Sequence, residues 1–145
     1  MRAVLQRVAK ASVLVGDELV GAIDQGLVVF VGVGPSDSVE KARVLADKTA
    51  NLRIFSDEAG KFNLSALSMS AEMLVISQFT LYADASHGRR PSFVEAAPPE
   101  IAAPLVDAYA EQLRSLGLRV ATGRFGAHML VQLVNDGPVT ILLEA

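Results

Sequence analysis

The chain has 145 residues, 51% hydrophobic and 20% charged, which is enough apolar material for one domain with a real core and too much for a disordered segment. Its net charge of −3 argues against general coating of nucleic acid, which needs concentrated Lys and Arg, yet leaves room for a local basic patch that grips one RNA end. The absence of cysteine removes disulfides, thiolate catalysis and cysteine metal sites together. The two histidines, His87 and His128, are too few for a His-rich centre, so no metal and no cofactor is expected.

In chain order, Ala3 to Val15 reads as a strand, Gly16-Asp17 as a turn, and Leu19 to Ile23 as a second strand. Arg2, Arg7 and Lys10 interrupt this N-terminal stretch, which therefore lacks a signal-peptide core; a cytoplasmic protein without a membrane span is expected. Leu27 to Val33 is apolar on both faces and predicts a central strand, broken by Gly34-Pro35. Asp37 followed by Glu40 resembles a capping box. It opens a helix to about Asn51 with Val39, Ala42, Leu45 and Ala46 at helical spacing.

Phe55 to Lys61 reads as a surface turn and Met73 to Tyr82 as the next strand. Ala83 to Ala97 has no periodicity and contains Gly88 and Pro91, the marks of a functional or mobile loop. Pro98-Pro99 opens a second long helix with Leu105, Tyr109 and Leu113 on one face, and Pro104 predicts either a later start or a kink. Strands at about Arg119 to Ala121 and His128 to Val134 follow. Asn135-Asp136-Gly137-Pro138 reads as a turn into a last strand, Val139 to Leu143. The order predicts an α+β fold, a single compact domain over 1–145 with strand-rich sheets packed against two main helices. A mean hydropathy of +0.37 fits either a fully buried Val- and Leu-rich sheet or apolar surface covered by a second copy.

Three segments carry candidate chemistry. Ser77-Gln78-Phe79-Thr80-Leu81 places polar groups at the end of an apolar strand, where alternation puts Ser77 and Phe79 on one face and Gln78 and Thr80 on the other. A serine nucleophile needs a base. His87 lies in a basic loop and His128 before a strand, and no G-x-S-x-G elbow exists, so a triad is hard to assemble. His87-Gly88-Arg89-Arg90-Pro91-Ser92-Phe93 offers two adjacent guanidinium groups that suit phosphate, or a solvated charge pair. Gly137-Pro138 is a bond where cis costs only roughly 0.5–1 kcal/mol over trans, so it is either an ordinary turn or a rigid device that aligns carbonyls toward a ligand.

Taken together in order, MRAVLQRV (1–8), NLRIF (51–55), GKFN (60–63), SQFTLY (77–82), GRRPSF (88–93), TGRFGAHM (122–129) and NDGPVT (135–140) resemble the D-aminoacyl-tRNA deacylase family over essentially the whole chain. The resemblance implies a homodimeric hydrolase that frees the 3′ end of tRNA from D-amino acids, and from glycine, for translation quality control. It implies that Ser77, Gln78, Phe79 and Thr80 line the pocket around the ester, and that Gly137 and Pro138 reach into the partner's pocket to reject L side chains. Arg7 would hold that motif, and Phe125, Gly126, Ala127 and Met129 would receive the terminal adenosine. No side chain is the nucleophile: the adenosine 2′-hydroxyl helps activate water and backbone N–H groups near Phe79 and Thr80 stabilise the oxyanion. The alternative is a non-catalytic nucleic-acid-binding module using the arginine loop. The partners expected are D-aminoacyl-tRNA and a second copy, without membrane or DNA.

Overall fold

A computed structural model describes residues 1–145. Strand β1 (Arg2–Val15) organises the sheet. One of its edges pairs with β8 (Leu130–Glu144) along nearly its whole length, and its other edge takes β3 (Gly26–Gly32) over Arg2–Val8 and β2 (Glu18–Ile23) over Ala11–Val15, all antiparallel. Strand β6 (Glu72–Ser77) lies parallel to β3, and β7 (Val120–Thr122) parallel to β6. Parallel neighbours need long crossovers. Helix α1 (Val39–Asn51) lies in the connection from β3 to β6, and α3 (Pro99–Ser115) in that from β6 to β7. A small hairpin, β4 (Phe55–Ser56) with β5 (Phe62–Leu64), and the single-turn α2 (Ala66–Met69) complete the first crossover. The α+β expectation of two main helices on a sheet holds.

The apolar run of β3 is buried on both faces because two cores meet on it. Leu27, Val29 and Val31 join Leu5, Val75, Leu45 and Tyr109 beneath the helices, while Val28 joins Val8, Val13, Ile23 and Leu74 on the opposite side. Strand β1 serves both cores. Its register with β8 slips between Gln6 and Val8 and again between Val8 and Lys10, and across these irregularities its inward residues change from one core to the other. Gly26 lets β3 start hard against β6: a Cβ there would lie 1.8 Å from the Glu72 carbonyl oxygen.

Several local expectations are corrected. The α1 cap is Ser38, whose side chain accepts from the Lys41 N–H; Asp37 instead accepts from the Gly34 N–H and pairs with the Met1 amino group at 2.7 Å. Burial alone would raise the Asp37 carboxyl, but those bonds outweigh it and hold it below the usual range. Helix α3 does not start after Pro104: it runs from Pro99 to Ser115 with Pro104 inside it. Pro104 is exposed, so the carbonyl of Glu100 left without its donor has access to water. Strand β6 stops at Ser77 rather than Tyr82. The two last strands are one, because pairing with β1 on both sides of a bulge at Asp136–Pro138 keeps β8 continuous.

The two helices are tied by one buried polar pair. Tyr109 donates its hydroxyl to Thr49 Oγ1 at 2.6 Å, and Thr49 donates onward to the Leu45 carbonyl at 2.9 Å. Burial pushes the Tyr109 phenol far up, so it stays a donor. Thr49→Val strands that donor in the core and should cost about 1–3 kcal/mol, whereas Tyr109→Phe removes it and should cost about 1 kcal/mol. Urea unfolding of the two variants checks the order, and a larger loss for Tyr109→Phe would contradict it.

Candidate active site

Parallel strands leave their ligand crevice beyond their carboxyl ends. Here β3 and β6 finish together at the Val31–Ser77 pair, and the Gln78 N–H makes one further bond to the Val31 carbonyl at 2.8 Å. The backbone then leaves the sheet at Gln78 (φ −145, ψ 82) and coils into a 3₁₀ turn, Phe79–Tyr82. The strand alternation expected for 77–80 therefore fails at its last residues. The turn is braced from below: Arg2 donates to the Leu81 carbonyl at 2.9 Å and lies 4.5 Å over the Tyr82 ring. Burial first, and then the Asp37 carboxylate, push the Tyr82 phenol up to about 12, so it remains a protonated strut.

Beyond this edge lies a cavity of about 600 Å³. Its floor is Val31, Ile76 and Ser77, with Gln78 and Phe79 at the turn. One wall is Ala97, Ala102 and Val106 of the second crossover and α3; the other is the loop from Phe125 to Met129. Phe79 and Phe93 meet edge to face with centroids 5.0 Å apart, and Phe79 and Phe125 are each exposed at the mouth. The wall is mostly apolar with a few polar groups, the usual make-up of a small-molecule site.

Of the residues singled out from sequence, Ser77, Gln78, Phe79, Phe125, Gly126, Ala127 and Met129 meet in this one cavity. Thr80 is exposed just outside the wall and accepts a hydrogen bond from Gln78 Nε2. His128 lies at the rim, but no hydrogen bond joins an imidazole to Ser77 or Thr80; His87 bonds only its neighbour Ser86, at 2.7 Å. The first bond of the 3₁₀ turn runs from the Leu81 N–H to the Gln78 carbonyl, so the N–H groups of Phe79 and Thr80 open the turn without an intrahelical acceptor. That arrangement can hold an oxyanion; it cannot make a serine nucleophile.

Gly137, Pro138 and Arg7 lie elsewhere. Arg7 pairs with Leu27, four residues before the Val31 of the cavity floor, a separation of roughly 13 Å along the strand. Two residue steps on β1, Gln6 to Val8, span five on β8, Asn135 to Thr140. The slack bulges outward as Asp136-Gly137-Pro138, with the 137–138 peptide cis and both residues exposed. Arg7, facing the bulge, is buried and donates to the Asp136 carbonyl at 2.9 Å and the Ile54 carbonyl at 2.8 Å, its guanidinium 5.3 Å from the Phe62 ring. Gly137 has φ 142, which favours glycine, and a Cβ there would lie 2.8 Å from the Val139 nitrogen. Sequence reasoning missed Ala97, Ala102 and Val106. For Ala102 and Val106 the only signal was small and apolar spacing on α3, which reads as core; Ala97 lies before the helix and had none.

A family model described as D-Tyr-tRNA(Tyr) deacylase matches residues 4–144. A protein of Roseiflexus sp. (strain RS-1) named D-aminoacyl-tRNA deacylase is 68% identical over 145 residues, covering 100% of this chain and 94% of that protein. A solved structure of a c-Myc DNA unwinding element binding protein is 42% identical with a TM-score of 0.93, covering 100% of this chain and 99% of that one. A second, described as a probable eukaryotic D-amino acid tRNA deacylase, shares the fold with a TM-score of 0.88 at 18% identity, over 98% of this chain and 97% of that one.

Proposed function

The chain belongs to the D-Tyr-tRNA(Tyr) deacylase family, and from that premise we propose that its cavity is where the ester between a D-amino acid and the 3′ end of tRNA is hydrolysed. The observation that carries this reading is the meeting of residues 77–79 and 125–129 in one apolar cavity that contains no nucleophile–base pair. The N–H groups of Phe79 and Thr80 stabilise the developing oxyanion, and the adenosine 2′-hydroxyl helps activate water. Phe125, Gly126, Ala127 and Met129 receive the adenosine, with aromatic faces at the mouth suited to stacking a base. The step breaks the acyl C–O bond, adds water, and leaves a free D-amino acid and tRNA. Glycyl-tRNA, which has no side chain to reject, is accepted by the same pocket.

The site is completed by a second copy. Gly137-Pro138 stands too far from its own cavity to screen a substrate there, and it is presented outward by Arg7. Strand β8 also exposes Leu130, Val134 and Leu142, a surface that fits burial in a homodimer. The partner's carbonyls at Gly137-Pro138 then exclude L side chains while a D side chain points away. No helix is long and apolar enough to cross a membrane, and the cytoplasm is the proposed location.

Separate incubations with D-Tyr-tRNA and L-Tyr-tRNA test the reading. The D ester should be released at least about a hundredfold faster than the L ester, a discrimination worth about 2.7 kcal/mol. A pure nucleic-acid-binding module leaves both at the rate of buffer. Intact-mass spectra during turnover should show no acyl adduct on Ser77 or Thr80; such an adduct would sink the nucleophile-free mechanism.

A further inference from the structure

The loop between the 3₁₀ turn and α3 is not absorbed by the hydrolytic site, yet it is built onto it. Asp84 and Ser92 exchange two backbone hydrogen bonds, each 2.8 Å, and close the segment 85–91 into a loop. The Ser86 N–H donates to Asp84 Oδ1 at 2.9 Å, and hydrogen bonding from the Ser86 side chain first, and then from this N–H, holds the Asp84 carboxyl below its usual range. One stem ends on the 3₁₀ turn and the other on the cavity. The Ala83 N–H bonds the Thr80 carbonyl at 3.0 Å on one side, and Phe93 lines the cavity on the other.

Arg89 and Arg90 sit at the exposed tip of this loop, and neither makes a hydrogen bond or an ion pair. Most other arginines are neutralised within the fold: Arg2 by Glu144, Arg7 beside Asp136, Arg114 by Glu111, Arg119 by Glu72 and Arg124 by Glu18. An acidic protein thus keeps two adjacent, uncompensated guanidinium groups close to the mouth of its cavity. Arg90 is three residues from Phe93, so their Cα atoms are at most about 10 Å apart.

We propose that the Arg89-Arg90 tip is a phosphate clamp for the RNA strand that leads into the cavity, a subsite that rests on the deacylase reading and names how its substrate is held. The terminal adenosine enters between the aromatic residues while the preceding backbone phosphates, outside the cavity, meet the two guanidinium groups. The closed stem fixes the tip relative to Phe93, so the clamp also sets how far the strand can thread. Affinity supplied there is indifferent to the amino acid.

The test compares wild type, R89A/R90A and R89K/R90K on D-Tyr-tRNA and on phosphate-free D-tyrosyl-adenosine, together with binding of uncharged tRNA by fluorescence anisotropy at several salt concentrations. R89A/R90A should raise KM for D-Tyr-tRNA about tenfold or more with kcat kept, and weaken uncharged tRNA equally. Its log–log salt dependence should be shallower by about 1.4, two single-strand contacts' worth. Hydrolysis of D-tyrosyl-adenosine should stay within about twofold of wild type, and R89K/R90K should recover most of the salt slope. Unchanged binding of uncharged tRNA in R89A/R90A overturns the clamp, as does an equal loss on both substrates. If wild type hydrolyses neither D ester but binds tRNA more tightly than R89A/R90A, the clamp stands and the deacylase reading falls.

Discussion

Gly137→Ala should lower deacylation of D-Tyr-tRNA by about a hundredfold and shrink the ratio of D to L turnover, while leaving most of the folding stability intact. The backbone there has φ 142, and an added Cβ would lie 2.7 Å from Val139 Cγ2 and 2.8 Å from the Val139 nitrogen. One of these neighbours is backbone, so the contact cannot be relieved by a side-chain rotation alone. Holding an L residue in such a conformation costs about 1–3 kcal/mol. The Asp136–Pro138 bulge is exposed, and Val139 behind it is buried in the main core, so the bulge is what moves. A displacement of about 1 Å at a positioning element is enough for a hundredfold loss. Single-turnover hydrolysis of D- and L-Tyr-tRNA measures both quantities, and an unchanged ratio would remove Gly137 from substrate selection. Arg7→Lys should move the ratio in the same direction, because an ammonium cannot reproduce the Nε and Nη1 bonds to Asp136 and Ile54.

The bulge also marks where local sequence is a poor guide. Asn-Asp-Gly-Pro has the composition of a reverse turn, and nothing nearby in the chain says otherwise. What overrides it is β1, more than a hundred residues away in sequence, whose hydrogen bonds on both sides of the segment keep β8 a single strand. The same cause ended β6 early. Phe79 and Leu81 continue the apolar alternation, but β3 ends at Gly32 and the Val33 carbonyl beyond it is taken by the Ala97 N–H, so no ladder remains for them to join. Asp37 and Ser38 are both good caps by type. Ser38 takes the role because Asp37 is already committed to the Gly34 N–H and the Met1 amino group.

By contrast, the central position of β3 was legible, since only a strand with a core on each face can be apolar throughout. The cavity was half legible. Polar residues interrupting an apolar strand at 77–80 pointed to the floor, and the motif at 125–129 to one wall. The α3 wall was not, because an alanine facing a cavity and an alanine facing a helix have the same periodicity.

That ambiguity can be turned into a contrast between two alanines of α3, Ala102 and Ala110. Ala102→Phe should nearly abolish hydrolysis of D-Tyr-tRNA, by more than about a hundredfold, with little change in Tm. Ala102 is buried at the edge of the main core but also lines the cavity, so the phenyl ring has open space to extend into. The helix itself loses only about 0.5 kcal/mol in propensity. What is lost is room for the substrate, so D-tyrosyl-adenosine should be rejected as completely as D-Tyr-tRNA, which separates this variant from R89A/R90A. Ala110→Phe is the reverse case. Ala110 is 1% exposed in the main core and does not line this cavity, so the ring must displace packed neighbours at about 1–3 kcal/mol or more. It should lower Tm while the folded fraction keeps its activity. Thermal melts and turnover measured on both variants decide the matter: an active Ala102→Phe would mean that substrate never occupies this cavity, and the catalytic surface would have to be sought outside it.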